Sequence, residues 1–244
     1  NRHQEFAKRN FSTAIKVFTV LAILQVVVFG AQMAISVTKN QPEKLASIEG
    51  NWTAESCAPL YLVGWVDESA EKTYAIGVPC LLSLLSYGSF DATVPGIEKF
   101  PKDDWAPVNL AFQAYHLMID LGFLFPLIGV VAWFVWWRRK KERIPRWLLW
   151  VCISTVFLAE VATIAGWWTA EVGRQPWIVW ERMRVSEAVT TAGGMWWWFG
   201  GAIVLYAVLG AAAIFALRLI ARRDAEGEIE VAGGPYGPPP EPVL

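Results

Sequence analysis

A carboxylate, a guanidinium, an amide and three indoles crowd the stretch Trp167-Trp168-Thr169-Ala170-Glu171-Val172-Gly173-Arg174-Gln175-Pro176-Trp177, where a long apolar run ends. If that run crosses a bilayer, Glu171 and Arg174 lie at or just inside the interface. A charge there is unfavourable unless it is paired, hydrated or bound to a cofactor, so the segment reads as functional. Lys44 and Glu49 form a second candidate pair. A cation and a carboxylate beside an apolar surface suit an amphipathic ligand that loses protons, such as a quinol. Glu49 could accept a proton, and Lys44 could polarise an oxygen or tune that carboxylate. A solvated loop with a surface ion pair fits the same two residues, and composition alone favours it.

The stretch Phe112–Phe123 holds His116, Met118 and Asp120. His116 and Met118 both invite a haem-ligand reading. They are two residues apart, about 200° around a helix, so they cannot both ligate one iron from this helix. His116 fits a ligand, a propionate partner or a satisfied interior histidine. Met118 fits a ligand or simple packing. Asp120 in a span costs about 2.5–3.5 kcal/mol, which favours a polar cavity, a charge partner or a proton route over lipid. Glu160 and Glu171 are about three helical turns apart and fall near one face with Ile164 and Trp167. That acid stripe suits part of a proton path, or two acids each paired to a neighbouring helix.

The elements that must position these groups are apolar spans. Hydrophobic residues make up 55% of 244, with 15 Trp. Four runs have spanning length, roughly Phe11–Val37, Val108–Trp137, Trp147–Trp168 and Met195–Ile220, since a bilayer core needs about 20 helical residues. Basic residues set the orientation. Lys8 and Arg9 precede the first span; Arg138, Arg139, Lys140, Lys141, Arg143 and Arg146 join the second and third; Arg218, Arg222 and Arg223 follow the fourth. All fall on one side, assigned as cytoplasmic, which places 38–104 and 169–194 outside. The outer segment is acidic, so the net charge of −1 hides an asymmetry and argues against nucleic acid as a partner. The tryptophans at both ends of the spans resemble interfacial belts.

Between the first two spans, Pro42 suits a first helical turn and Gly50 a C-cap, which predicts a short helix carrying Lys44 and Glu49. A disulfide between Cys57 and Cys80 would brace the same segment; two free thiols are equally compatible with the sequence. Cys152 reads as a small apolar residue. The tail rich in Pro and Gly predicts disorder. Asn1–Asn10 has no apolar core and is no signal peptide, and the first residue is not Met, as in a segment of a longer protein. No Walker loop, dinucleotide fingerprint or zinc spacing occurs.

These islands together resemble subunit I of the cytochrome bd-type quinol oxidases. Phe6-Ala7-Lys8-Arg9-Asn10-Phe11 looks like the approach to the helix before that family's quinol loop. Lys44-Leu45-Ala46-Ser47-Ile48-Glu49 with Trp52 looks like the start of the loop, here of the short class. Tyr115-His116-Leu117-Met118 with Gly122-Phe123 resembles the helix bearing a haem-ligating methionine. Gly166-Trp167, then Glu171 to Trp177, resembles the most distinctive signature. The match runs from Phe6 to roughly Ile220 and covers the C-terminal half of the family's subunit.

The resemblance implies roles. Lys44 and Glu49 would bind and oxidise quinol. Met118 would be an axial ligand of the low-spin haem b, with a potential raised by methionine. Glu171 would ligate or abut the high-spin haem b beside haem d. Trp167 and Arg174 would line that region, Arg174 as a propionate partner. His116 stands near these groups without a matched role, and so does Asp120. The N-terminal half would supply the missing histidines and channel acids, as a separate chain or the rest of a longer one. Further expected partners are subunit II and small single-span subunits.

The expected fold is all-α: a polytopic protein of a prokaryotic cytoplasmic membrane with four transmembrane helices and both termini cytoplasmic. Residues 1–37 would be the N-terminal segment and first span, 38–107 the outer quinol-binding loop, 108–222 a three-helix haem-binding region and 223–244 a disordered tail. The expected function is part of a terminal oxidase that oxidises quinol, reduces oxygen to water and contributes to the proton gradient. The alternative is a diverged structural or quinol-binding subunit without oxygen chemistry. A transporter subunit using Asp120 and Glu160 would leave the Glu171–Trp177 signature unexplained.

Overall fold

The computed structural model describes residues 2–139 and 144–225. Lys140, Lys141 and Arg143 of the basic turn, and the tail after Ala225 that was expected to be disordered, lie outside the described residues. Among the described residues four helices are long and apolar enough to cross a membrane: Phe6–Asn40, Val108–Arg138, Arg146–Val172 and Met195–Arg223. Each reaches further than its apolar run, because polar residues at the ends continue the helix after the hydrophobic pattern stops.

The first span is composite. Helix α1 (Arg2–Leu24) passes through a π-helical turn at Gln25–Gly30 into α2 (Ala31–Asn40). The short α3 (Pro42–Glu49) follows, with Pro42 in its first turn and Gly50 as a left-handed C-cap. Then come α4 (Leu81–Tyr87), α5 (Val108–Arg138), α6 (Arg146–Val172), α7 (Val185–Ala188) and α8 (Met195–Ala225). From Thr190 onward the described residues form a unit of their own, whose helix α8 is apolar and exposed from Met195 to Arg223.

The fold is mostly helical, but the segment between the first two spans is not a plain loop. Strands β2 (Leu60–Asp67) and β3 (Lys72–Val78) form an antiparallel hairpin. β1 (Glu55–Ser56) pairs with β4 (Thr93–Val94), and β5 (Trp177–Val179) with β6 (Met183–Arg184). Cys57 and Cys80 form a disulfide that closes the base of the hairpin. Cys152 is a free, half-buried thiol in α6.

Two packed centres position the site. At one end of the spans, Ile15 of α1, Ala132 of α5 and Leu148 of α6 form a core, and Phe11 meets Trp136. Helices approach closely there because Gly129 has no side chain: a Cβ would stand 2.6 Å from Thr19 Oγ1. Lys8, Arg9, Arg138, Arg139 and Arg146 belong to this end, as the charge pattern required. At the other end, Ala46 of α3, Val66 of β2, Ile97, Val108 and Phe112 of α5 form a second core. Asn109 accepts from Val66 N–H at 3.3 Å, and Gln113 donates to the Gly64 carbonyl at 2.8 Å. These bonds clamp the hairpin to the first turns of α5, with α3 held between them.

Candidate functional site

Helix α3 is buried at Glu43, Leu45, Ala46, Ser47, Ile48 and Glu49. Its end is fixed by Gly50, whose φ of +63° favours glycine, and where a Cβ would lie 3.0 Å from both Phe112 and Thr73. Thr73 Oγ1 donates to the Gly50 carbonyl at 2.6 Å and accepts from Trp52 Nε1 at 3.1 Å. The loop helix is therefore locked in place by β3, and its two faces serve different neighbours.

Lys44 turns toward the C-terminus of α6. Its Nζ donates to the Ala170 carbonyl at 3.2 Å, one of the last carbonyls that no helical N–H can reach. Gly173 lets the lysine stem approach, since a Cβ there would meet Lys44 Cε at 3.3 Å. Arg174 Nη2 pairs with Glu171 Oε2, and Gln175 Nε2 donates to the Glu171 carbonyl at 3.2 Å. Burial pushes the Lys44 ammonium down from its ordinary range, helped by Arg174 and opposed by Glu171.

Glu49 turns the other way. It is 0% exposed and, among the described residues, neither carboxylate oxygen has a hydrogen-bond partner. Burial pushes it up to about 8, with the Tyr115 phenol opposing in part. Lys44 and Glu49 therefore do not meet directly; they contact different helices, as their spacing of five on one helix requires. Ile48 between them joins Ala111 and Tyr115 in a buried cluster against which Met118, Ile119 and Val172 pack, so the loop helix, α5 and the end of α6 share one cluster.

His116 and Met118 point apart. His116 is 3% exposed, stacks on Phe112 at 3.8 Å and uses Nδ1 on the Phe112 carbonyl at 2.8 Å. Among the described residues its Nε2 has no hydrogen-bond partner. Met118 is half-buried and faces α6 at Gly166, where a Cβ would stand 2.9 Å from its Sδ. Trp167 is exposed, Glu171 and Arg174 are half-exposed, Asp120 is half-buried and Glu160 is exposed. Among the described residues Glu160 and Asp120 make no ion pair.

Several groups at this end were not foreseen. Glu43 is 5% exposed, and its Oε2 accepts from Trp180 Nε1 at 3.3 Å. Burial raises it to about 7; Trp180 and Arg184 oppose, while Asp104 and Glu181 add to the rise. Arg184 pairs with Asp104 at 2.5 Å and lies 4.8 Å over the Trp177 ring. An acid in the first turn of a helix reads as a favourable dipole partner, which is why Glu43 gave no signal of a buried role.

A helical membrane protein is thus defined, with a loop helix docked on the carboxylate–arginine end of one span and beside a methionine of another. The chain belongs to the family of cytochrome bd terminal oxidase subunit I, whose model matches residues 1–225. It is 35% identical over 210 residues to the putative cytochrome bd menaquinol oxidase subunit I of Bacillus subtilis (strain 168), covering 85% of this chain and 46% of that protein. To the cytochrome bd ubiquinol oxidase subunit 1 of the same organism it is 29% identical over 251 residues, 95% of this chain and 53% of the relative. The solved bd oxidase from Geobacillus thermodenitrificans matches with a TM-score of 0.75 and 29% identity, covering 87% of this chain and 49% of that one. The chain spans about half the length of the relatives it matches.

Proposed function

We propose that this chain acts as the C-terminal half of subunit I in a quinol-oxidising, oxygen-reducing terminal oxidase of a prokaryotic cytoplasmic membrane. The observation that carries the reading is the shared cluster of Ile48, Tyr115, Met118 and Val172. It brings the helix of Lys44 and Glu49 against both the methionine helix and the end of the helix bearing Glu171. A quinol headgroup at α3 would then lie beside the first electron acceptor.

The residues fit haem. Met118 offers a soft thioether that is half-buried at a glycine, so the opposing helix supplies no side chain to cover it. Glu171 and Arg174 offer a carboxylate and a guanidinium, both half-exposed. In this reading Met118 would hold the low-spin haem b, Glu171 would serve the high-spin haem b and haem d, and Trp167 and Arg174 would line that region. Haem bound there would supply one-electron acceptance and the reduction of oxygen. Lys44 would orient the quinol oxygen, and Glu49, kept protonated by burial near neutrality, would exchange protons with it. His116 does not share the Met118 face. It is enclosed by Phe112 and Tyr115, and we assign it to positioning α5 against the hairpin rather than to iron. The N-terminal half of the subunit, subunit II and small single-span subunits are the proposed partners.

The test is the reduced-minus-oxidised visible spectrum of the intact complex, with Met118→Leu beside the wild type. Low-spin and high-spin b bands with a red-shifted d band, and loss of the low-spin band in the variant, are expected. A spectrum without haem in the wild type would sink the oxidase reading and favour a structural subunit. An unchanged low-spin band in the variant would remove Met118 as ligand.

A further inference from the structure

Successive strand residues point to opposite faces, and the two faces of the β2–β3 hairpin have different surroundings. On one face Val66 belongs to the core with Phe112, and Gly64, Ala75 and Thr73 beside it are half-buried. The opposite face carries two cross-strand pairs, Val63 with Ile76 and Trp65 with Tyr74. All four side chains are exposed, Ile76 at 79% and Trp65 at 61%. Paired β-branched and aromatic side chains of this kind stabilise a hairpin. Left open, they form an apolar patch of the sort that marks an interaction surface.

The place of the hairpin along α5 says what covers that patch. β2 runs beside the first turns of the span, in the opposite direction. At the start of α5, Glu68 Oε1 accepts from the Asn109 N–H at 2.7 Å, and the Val66 N–H donates to Asn109 Oδ1 at 3.3 Å. One turn further in, Gln113 Nε2 donates to the Gly64 carbonyl at 2.8 Å. Still lower on the strand, the Tyr61 ring lies 6.4 Å from that of Phe112. The hairpin therefore reaches down the side of a span instead of lying across its end.

Its polarity is graded along the same direction. The charged residues of the hairpin, Asp67, Glu68, Glu71 and Lys72, all stand at the tip, level with the start of α5. The Trp65–Tyr74 pair comes next, and the Val63–Ile76 pair lies deepest. Two residues of strand rise about 6–7 Å, so tip and aliphatic pair are about 13 Å apart. The polar layer on each side of a bilayer is about 5–8 Å thick. With the tip in water, the aromatic pair falls within that layer, where Trp and Tyr are enriched, and the aliphatic pair reaches the edge of the hydrocarbon. A protein partner would require no such order of charged, aromatic and aliphatic pairs.

We propose that the β2–β3 hairpin is seated in the bilayer interface on the side where α5 begins, with its Val63–Ile76 and Trp65–Tyr74 face covered by phospholipid and its charged tip in water. Neither haem nor quinol is needed for this contact; α5 need only be a span that starts at the membrane surface.

Spin labels at Ala70→Cys, Tyr74→Cys and Ile76→Cys, placed one at a time in the intact complex in phospholipid nanodiscs, test the contact. Cys152→Ala is the common background, and that background complex taken through the same labelling is the blank. Labelling without reductant keeps the Cys57–Cys80 disulfide. Oxygen partitions into lipid and a nickel chelate stays in water. The ratio of oxygen to nickel collision rates should rise from Ala70 through Tyr74 to Ile76. Val63→Cys gives a second site on the deepest pair, and its ratio should match that of Ile76. Nickel access at Ile76 and Val63 as high as at Ala70 would place the face in water. Low access to both reagents there would show that protein covers it, the N-terminal half of the subunit or another subunit. Either result would overturn the lipid contact.

Discussion

Helices α3 and α6 use hydrophobicity in opposite ways. The eight residues of α3 include two glutamates, a lysine and a serine, yet six of its positions are buried. The 27 residues of α6 are far more apolar, yet only Leu148, Ala165 and Thr169 are buried. The polar helix is packed on protein from several sides. The apolar helix offers its surface to lipid or to other chains. In a membrane protein of this kind hydrophobicity marks where lipid or a neighbouring chain lies, and burial of charge marks where the chain has built something.

The contrast can be broken by substitution. The largest loss should come from Phe112→Ala, which empties the centre on which Gly50, Tyr61 and His116 pack. A destabilisation of about 3–5 kcal/mol is expected, read as a fall in the unfolding transition in detergent. Glu49 gives a smaller, pH-dependent effect. Its folded carboxyl titrates at about 8 against an ordinary value of 4.5, so the folded state holds the proton more tightly than the unfolded one. Stability from this group is full below the ordinary value and falls as pH rises toward 8. Glu49→Gln should flatten that decline, and a decline that persists in the variant would place its origin elsewhere. The smallest effect should be Phe157→Ala on α6, where the side chain is 71% exposed. A change within about 0.5 kcal/mol is expected for the isolated chain. A larger loss in the assembled complex than in the isolated chain would show that another subunit covers this face.

Much of the architecture was legible in the sequence because its signals are local. The four apolar runs became four long helices. Pro42 and Gly50 bounded α3 as proline and glycine do at helix ends. For Cys57 and Cys80 the sequence left a disulfide and two free thiols equally open, and the structure pairs them. The β2–β3 hairpin was missed because its strands are flat in pattern: Tyr61, Leu62 and Val63 run without alternation across a register shift. The separation of His116 from Met118 followed from helical geometry, and their neighbours bear it out. The seat of Glu43 beside Trp180 was not legible. The two meet across 137 positions, and no spacing rule reaches that far.

The π-helical turn at Gln25–Gly30 carries a consequence for how the first span works as a part. A π turn accommodates one residue more than an α turn, and one residue is about 100° of rotation. Below it, Ile15 and Thr19 are buried where the helix packs on α5. Above it, Thr38 is buried where the helix packs on α3 and α4. The turn is thus a phase shifter joining two interfaces that a uniform helix would present at a different relative angle. Removing one residue from it would keep the span long enough to cross a bilayer while turning one of its faces away from its neighbour.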